Sequence, residues 1–483
     1  MMRVRGMGCE GPFISTGVAM DLRLDDSPFA TVPAPVTETG AYRPASFWQE
    51  TVALSPGAPL TGDVSCDVAI VGGGFTGLST ACELKKAAPS LEVVLIERAV
   101  VGHGASGRNG GFVMPLIGWS LADVAEKLGE EGAARACHLL REAVEHTKKV
   151  IRDNAISCDL EETGYLLLAT CPARQERLRH EIELAHRFGF DPQWLEGPAL
   201  TEHIRSDAFL AGVFDPHPAV VNPAKLVRGL KGLAEKLGVR IYEQTPLERL
   251  VDGRPVVLQT PKGLVRADQV LLAVNGYGAS LGLFTSRIHP AHTYIILTEP
   301  LSGADLEAIG WGKKRTSLET DRNFIHYFRL TADNRILFGG EDATLYYGGK
   351  LLDAHPPTFR RLEARFREYF PALNSIRFTH RWGGVLAVTF DMFPTFGRGG
   401  KCGTIYHAAG YSGHGVALGN YAGKILAPHI LKQAGLPVPG DELPTPFFFG
   451  RTPPLSLPGD PFRYVAMQLY RAALHAQDWW QKA

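Results

Sequence analysis

Three glycines between a strand-like run and a helix-like run constrain this chain more than any other sequence feature. The apolar run 66–71 predicts a buried parallel strand, and Gly72, Gly74 and Gly77 follow it before a predicted helix over 78–88. The first glycine permits a tight turn, the second lets a pyrophosphate approach the backbone, and the third lets the helix pack on the strand. This G-x-G-x-x-G pattern predicts a dinucleotide site, with an ordinary glycine turn as the alternative.

An acidic residue at the expected spacing supports the dinucleotide prediction. A second apolar run over 92–96 ends at Glu97, 20 residues after Gly77. An acid at the end of the second strand accepts hydrogen bonds from ribose hydroxyls. Strand, glycines, helix, strand and acid thus occur in the order of a β-α-β unit, which favours a nucleotide ligand over a plain turn.

The glycine pattern alone does not separate FAD from NAD, but two further segments favour FAD. A glycine-rich turn at 413–419 is a near match to a second fingerprint, but prolines follow it instead of a strand ending in an acid. The segment 104–111, Gly-Ala-Ser-Gly-Arg-Asn-Gly-Gly, offers backbone N–H donors and room for a flat ring. An ordinary surface loop is the alternative for this segment.

Composition disfavours several other classes of protein. Lys plus Arg and Asp plus Glu each number 50 among 483 residues, which lacks the basic surplus of a nucleic-acid binder. Seven cysteines without a C-x-x-C pair indicate a reducing, cytoplasmic compartment and no metal module. No uncharged apolar run reaches about 18 residues, so no transmembrane helix is expected. His289 and His292, on either side of Pro290, are predicted to be loop histidines rather than metal ligands.

At the level of whole motifs, the chain resembles the FAD-dependent amine and amino-acid oxidoreductases, the D-amino-acid-oxidase-like family. Within it, the chain most resembles the branch containing γ-glutamylputrescine oxidase. The motifs that carry the resemblance are Gly72–Ser79, Gly104–Gly111, Tyr327–Arg335, Arg381–Gly384, Pro394–Arg398 and Gly410–Gly415. They occur in family order over about 64–430. The chain departs from the branch at Gly383, where Thr is common, and around 385–391.

The resemblance implies an α/β (α+β) fold in two parts. A Rossmann-like FAD-binding domain is assembled from discontinuous segments, and a substrate domain is built on a mixed or antiparallel sheet. The predicted divisions are an N-terminal arm 1–62, FAD-domain segments 63–115, 216–285 and 381–432, substrate-domain segments 116–215 and 286–380, and a Pro-rich strap with a C-terminal helix over 433–483. Met20 is an alternative start of the chain. The terminal helix, Phe462–Lys482, is expected to pack on the body, with contact to a membrane surface as the alternative.

The resemblance also implies where the flavin lies. Residues 105–111 are expected along the flavin, and 413–416 at its pyrimidine end, where a helix N-terminus would favour the negative charge of the reduced ring. His414 is expected to add a proton or positive charge there, with a structural hydrogen bond as the alternative. FAD is expected to be noncovalent, because no cysteine lies between His380 and Lys401. The predicted cofactor-binding residues are Gly72, Gly74, Phe75, Thr76, Gly77, Glu97, Arg98, Gly104, Ala105, Ser106, Arg108, Asn109, Gly110, Gly111, Gly413, His414, Gly415 and Val416.

The predicted chemistry is oxidation of a C–N bond in an amine or amino acid, such as a γ-glutamylated polyamine. Hydride would pass to flavin N5, water would hydrolyse the imine, and oxygen or another redox acceptor would take the electrons. His414, Tyr327 and Trp382 are the candidate catalytic residues. Tyr327, Trp382 and Tyr411 are candidate pocket walls, with core packing as the alternative. Arg329 is a candidate carboxylate ligand, with a structural ion pair as the alternative. A flavin monooxygenase and an electron-transfer subunit remain the alternative functions.

Overall fold

A computed structural model describes residues 45–283, 286–440 and 443–480. Residues 1–44 of the predicted N-terminal arm, with the alternative start at Met20, lie outside the described residues. The helices are α1 Phe47–Glu50, α2 Phe75–Ala87, α3 Leu121–Asp153, α4 Pro172–Arg187, α5 Gly197–Thr201, α6 Pro223–Lys236, α7 Gly303–Ala308, α8 Pro356–Tyr369, α9 Gly415–Gln433 and α10 Phe462–Trp480.

The strands form two large sheets and one small one. They are β1 Val64–Val71, β2 Val93–Ile96, β3 Phe112–Val113, β4 Tyr165–Ala169, β5 Gln193–Glu196, β6 Ala211–Asp215, β7 Ala219–Val220, β8 Arg240–Tyr242, β9 Arg249–Val251, β10 Val256–Thr260, β11 Gly263–Leu272, β12 His289–Thr298, β13 Ser317–Thr320, β14 His326–Leu330, β15 Ile336–Thr344, β16 Phe378–Val388, β17 Thr395–Gly399 and β18 Ile405–Ala409.

The first sheet has a parallel core in the order β18-β11-β1-β2-β8, and its buried strands are rich in Val, Ile and Leu. The predicted β-α-β unit is confirmed as β1, α2 and β2. The residues that follow four of these strands, Gly72, Glu97, Ala273 and Gly410, meet at one edge of the sheet because parallel strands share their carboxyl ends. In open α/β sheets this edge is where ligands bind.

The second sheet is mixed, in the order β16-β12-β15-β14-β13-β4-β6-β5. Strands β13 and β4 run parallel, and the other neighbouring pairs run antiparallel. Side chains alternate between its faces. On one face, Leu318, Phe328 and Phe338 form an apolar core with Phe366 of α8. The opposite face carries the neighbouring odd-numbered residues of β13 and β14, and the part of it that holds Glu319 and Tyr327 lines a cavity described below. The predicted α/β fold with a second, mixed sheet is confirmed.

Two sequence-based expectations in this sheet need correction. Strand β16 belongs wholly to the second sheet, so the predicted domain boundary at 380/381 falls inside it. His289 and His292 lie on β12 and are buried, so they are not loop histidines. Pro290 is tolerated because β12 pairs only with β16 at this point, and pairing with β15 begins at His292. The other predicted domain boundaries remain predictions.

The C-terminal helix α10 packs back on the second sheet, as expected. Asp478 accepts hydrogen bonds from the backbone N–H groups of Asn323 and Phe324 over 3.0 and 3.1 Å. Arg471 donates twice to Asp342 over 2.6 and 2.7 Å. None of the helices within the described ranges combines the length and the apolar character needed to cross a bilayer.

Candidate active site

The turn between β1 and α2 has no room for a side chain at two of its glycines. Gly72 adopts a φ of +112°, and a Cβ atom there would lie 2.5 Å from the carbonyl oxygen of Ala273. A Cβ atom at Gly77 would lie 2.1 Å from the carbonyl oxygen of Gly72. Gly72 therefore permits the turn, and Gly77 permits close packing of α2 on β1.

The N-terminus of α2 faces the segment 104–111. The N–H of Phe75 donates to Oγ of Ser106 over 3.0 Å, and a Cβ atom at Gly74 would lie 2.9 Å from that oxygen. The first turn of α2 carries no acidic side chain that would offset the positive end of the helix dipole. Backbone donors and a helix N-terminus together make this turn a favourable place for phosphate.

Glu97 stands beside the glycine turn and retains acceptor capacity. Its two carboxylate oxygens accept hydrogen bonds from the backbone N–H groups of Gly73 and Ala99 over 2.8 and 2.9 Å. Burial raises the pKa of Glu97, and these two donors oppose the rise. A carboxylate has about four lone-pair sites, so this group can also accept from hydroxyl groups of a ligand.

The backbone of segment 104–111 is fixed by close contacts. A Cβ atom at Gly107 would lie 2.0 Å from a backbone carbonyl oxygen, and one at Gly111 would lie 2.1 Å from that of Val221. The Asn109 side chain accepts from the N–H of Gly111 over 2.7 Å. The glycines in this segment are therefore required for its path, which an exposed loop would not need.

Two arginines, one within this segment and one before it, contribute to its surroundings. Arg108 is buried, and its Nη1 donates to Asp353 over 2.7 Å. The guanidinium carbon of Arg98 lies 5.3 Å from the ring centroid of Tyr277. A Cβ atom at Gly104 would lie 3.0 Å from the same ring. Tyr277 thus supports both the end of β2 and the start of the segment, a role that the sequence did not indicate.

The two helices that begin at this edge are joined at their N-termini. The hydroxyls of Thr76 in α2 and Tyr411 before α9 lie 2.7 Å apart and share a hydrogen bond. Further along, a Cβ atom at Gly423 would lie 2.4 Å from the carbonyl oxygen of Ser79, so α2 and α9 cross closely. Tyr411 is buried in this junction and is not among the residues that line the cavity, contrary to its predicted place in a pocket wall.

His414 lies at the start of α9 and lines the cavity. Its Nδ1 has no hydrogen-bond partner among the described residues. Burial lowers the pKa of His414 to about 4, so the imidazole is neutral at pH 7. The expectation that His414 adds a proton or a positive charge beside the flavin stays a prediction, and in the protein alone His414 offers a neutral donor or acceptor.

The cavity has a volume of about 600 Å³. It is lined by residues of segment 104–111, by the turn 412–416, by α10 and by the second sheet. Six residues of the second sheet, one from each of six neighbouring strands, form a row across it, because each lies directly opposite the next on the adjacent strand. The row is Ile295, Gly339, Tyr327, Glu319, Leu167 and Val213. The cavity floor is therefore part of the odd-numbered face of this sheet.

Tyr327 lines the cavity, as predicted for a pocket residue. Its ring lies over Gly339, where a Cβ atom would be 2.4 Å from the ring carbon Cζ. It contacts Phe112 edge to face at 5.7 Å between centroids, and a Cβ atom at Gly110 would lie 3.1 Å from it. Burial raises the pKa of Tyr327, which keeps the phenol protonated. Tyr327 therefore connects segment 104–111 to the sheet.

Trp382 and Arg329 do not line the cavity, contrary to the sequence-based expectation. The indole N–H of Trp382 donates to the carbonyl oxygen of Arg108 over 2.8 Å. Arg329 donates to the carbonyl oxygen of Val221 over 2.7 Å and lies 5.4 Å from the ring of Trp48. Trp48, in α1, belongs to the same apolar cluster as Trp382 and lies over this part of the sheet. Trp382 and Arg329 therefore support the backbone around segment 104–111.

Several lining residues were not predicted. Glu319 and Tyr165 lie on the floor, and His289 is buried with neither ring nitrogen hydrogen-bonded to a described residue. Met467 and Leu474 of α10 line the cavity from the C-terminal helix. The sequence gives no indication that the single acid in the four-residue strand β13 lines a site. For β4, the alternation of side chains along a strand does indicate that Tyr165 lies on the same face as Leu167. The described part of the chain contains no group of three or more His, Cys, Asp or Glu able to hold a metal.

Comparison with known proteins identifies the family. The model of the family described as FAD dependent oxidoreductase matches residues 67–428. The chain belongs to this family. The probable oxidoreductase OrdL of Haemophilus influenzae is 32% identical over 384 residues, covering 77% of this chain and 84% of that protein. The gamma-glutamylputrescine oxidoreductase of Escherichia coli is 32% identical over 380 residues, covering 77% and 85%. The predicted resemblance is thus confirmed.

Solved structures show the same fold. The glycine oxidase of Geobacillus kaustophilus aligns with a TM-score of 0.63 at 22% identity, covering 78% of this chain and 96% of that one. The L-proline dehydrogenase of P. horikoshii aligns with a TM-score of 0.64 at 21% identity, covering 81% and 98%. The chain therefore has the fold of these two enzymes, and its membership of the family makes it an FAD-dependent oxidoreductase.

The residues present fit FAD on three observations. The turn at Gly72 to Gly77 excludes side chains where a pyrophosphate must approach. Glu97 retains acceptor sites beside that turn, and Nδ1 of His414 is unpartnered among the described atoms at the start of α9. Together with segment 104–111, these groups follow the edge of the first sheet from the phosphate turn to the cavity.

Proposed function

We propose that this family member oxidises a C–N bond of an amine or amino acid within the cavity of about 600 Å³. The observation that carries the proposal is that Tyr327 and His414, both neutral, line one cavity together with segment 104–111 and the start of α9. A substrate in this cavity would contact the predicted flavin segments and the second sheet at once. When bound, FAD supplies a two-electron acceptor for hydride from the substrate carbon.

The chain's own residues are proposed to bind and orient the substrate. The cavity is mostly apolar, so it favours the neutral amine, whose lone pair must be free for oxidation. Tyr327 offers a phenol O–H, and Nδ1 of His414 offers one donor or acceptor, depending on its tautomer. The N-terminus of α9 adds a fixed positive potential near the predicted pyrimidine end of the flavin.

We propose that the cofactor-binding residues are the set predicted from sequence, with FAD held without a covalent bond. Gly72 to Gly77 and Glu97 would hold the pyrophosphate and ribose, and residues 104–111 and 413–416 the ring. We do not propose a catalytic role for Trp382, because its indole N–H donates to the backbone carbonyl of Arg108 in segment 104–111. Its proposed role is to position Arg108.

A γ-glutamylated polyamine or another ω-amino compound is the first substrate class to test. The support is the 32% identity to gamma-glutamylputrescine oxidoreductase. An imine formed in the cavity would react with water to give a carbonyl compound and a released amine. Oxygen or another redox acceptor would then take the electrons.

An anaerobic screen of amines, with flavin absorbance as the signal, tests the proposal. Holoprotein is mixed with amines and amino acids, and separately with NADH and NADPH. We expect at least one amine to bleach the flavin and NAD(P)H to leave it oxidised. Rapid bleaching by NADPH with no response to any amine would instead support the monooxygenase alternative.

A further inference from the structure

Glu319 is a buried acid on the cavity floor that forms no ion pair within the described residues. It is 7% exposed and lines the cavity from β13. The hydroxyl of Tyr165, on the neighbouring strand β4, lies on the same floor, where it interacts with the Glu319 carboxyl and has no hydrogen bond to any other described residue. A carboxylate in such surroundings is costly unless a cation or several donors satisfy it.

Other buried acids of this protein have ion-pair or hydrogen-bond partners. They are paired with basic side chains, as in Asp342 with Arg471, Asp321 with Arg177, Asp478 with Arg174 and Glu243 with Lys231. Glu97 accepts two backbone N–H groups instead. Glu319 differs from all of these because it lines the cavity without such partners, whereas Asp321 and Asp342, which also line the cavity, are paired with arginines.

The pKa of Glu319 also indicates that this acid has no charged partner. Burial raises the pKa of Glu319 to about 7, and the nearby phenol of Tyr165 opposes the rise only in part. No basic side chain in the described part of the chain lowers this pKa appreciably. A positively charged group entering the cavity would lower the pKa of Glu319 again and hold it ionised.

Register places Glu319 close to the proposed reaction site but apart from it. Glu319 is directly opposite Tyr327 on β14, so their Cβ atoms are about 4.5–5.5 Å apart. Tyr327 in turn contacts Gly110 of the predicted flavin segment and Phe112, which directly follows that segment. A substrate that reaches from segment 104–111 across Tyr327 therefore brings its far end to Glu319.

We propose that Glu319 and the Tyr165 hydroxyl form a subsite for a protonated ammonium group of the substrate, distinct from the nitrogen whose C–N bond is oxidised. This inference rests on the proposed function and narrows it to substrates with a second, cationic nitrogen. An ammonium has three donors and no acceptor. It therefore suits the carboxylate and a hydroxyl lone pair, whereas an amide at this end of the substrate would bring no positive charge and a carboxylate would be repelled.

The test compares α,ω-diamines with n-alkylamines of equal length. Anaerobic stopped-flow reduction of holoprotein at pH 8 gives an apparent Kd and a limiting rate for each probe. For the wild type, we expect 1,4-diaminobutane or a homologous diamine to bind on the order of 10- to 100-fold more tightly than its alkylamine. In Glu319→Gln, this ratio should fall to about one, with the Kd for alkylamines nearly unchanged.

Two further variants separate a subsite from a general effect of the cavity. Asp215 also lines the cavity, but Arg141 already pairs with it at 2.8 Å, so Asp215→Asn should keep the wild-type diamine preference. Glu319→Asp withdraws the carboxylate by one methylene and should shift the preferred diamine to a longer chain. A structural role alone would not move the optimal chain length.

The outcomes distinguish this inference from the proposed function. If no amine reduces the wild-type flavin, the proposed function fails. If amines reduce it but Glu319→Gln retains the diamine preference, the ammonium subsite is wrong and amine oxidation stands. Equal loss of the preference in Asp215→Asn would also overturn the assignment to Glu319.

Discussion

Replacing Glu319 by Gln should raise the thermal stability of the protein at pH 8, although it removes a side chain with a proposed role in binding. Glu319 is 7% exposed, and burial raises the pKa of its carboxyl group from 4.5 to about 7. The titratable groups that face it from the flanking strands are the phenols of Tyr165 and Tyr327, and neither is a cation. Above pH 7 the folded protein must therefore hold an unpaired buried charge.

The sign and size of the effect follow from linkage. Because the folded pKa lies above the unfolded value, the favourable contribution of the protonated carboxyl is complete below pH 4.5 and is lost as pH rises through 7. A shift from 4.5 to about 7 corresponds to roughly 3 kcal/mol at pH 8, at 1.36 kcal/mol per unit. A buried Gln amide costs about 1 kcal/mol if one of its groups stays unpaired, which leaves a net gain of roughly 2 kcal/mol.

Thermal unfolding of FAD-saturated protein tests this difference. The melting temperature of Glu319→Gln minus that of the wild type should be near zero or negative at pH 5 and positive at pH 8. A control pair with Asp215→Asn should show no gain at pH 8, because Arg141 already neutralises that acid. A difference for Glu319→Gln that does not change between the two pH values would refute the reasoning that Glu319 is an unpaired buried acid.

Three other predictions concern the flavin. Gly77→Ala should lose FAD, because its Cβ would lie 2.1 Å from a backbone carbonyl oxygen. The control Gly232→Ala in α6, where no atom lies within 4 Å of the new Cβ, should keep full FAD occupancy as measured by flavin absorbance. His414→Ala should retain FAD, but its flavin should be reduced by the amine about 10-fold more slowly in stopped flow, since about 1.4 kcal/mol of hydrogen bonding in the transition state would be lost. An unchanged rate would indicate that His414 has only a structural role. Acid precipitation should release FAD into the supernatant, and flavin that stays with the protein would disprove noncovalent binding.

The parts of the fold that depend on local pattern were predictable from sequence. The glycine turn between β1 and α2 and the acid at Glu97 follow from spacing and from short apolar runs. An Asn followed by Pro is typical of a helix start, and α6 begins at Pro223, with the Asn222 side chain accepting from the N–H of Lys225. Each of these signals lies within a few residues of the structure that it specifies.

The assignments that failed depend on contacts between distant segments. Trp382 and Arg329 were expected near a carboxylate or a pocket, but Trp48 from α1 packs against the sheet where they lie. Glu319 was missed because its environment is made by β14 beside it and by β4, about 150 residues earlier in the chain. Sequence patterns indicate which face a residue takes, but not what covers that face.

The most direct test of the central claim, amine oxidation by FAD, is a single-turnover reaction with an amine deuterated at the carbon next to nitrogen. We expect flavin bleaching to slow with the deuterated substrate, because cleavage of that C–H bond accompanies flavin reduction. Quenched samples should contain one equivalent of carbonyl product per flavin reduced. Flavin reduction without carbonyl product, or reduction by NADPH and by no amine, would contradict the claim.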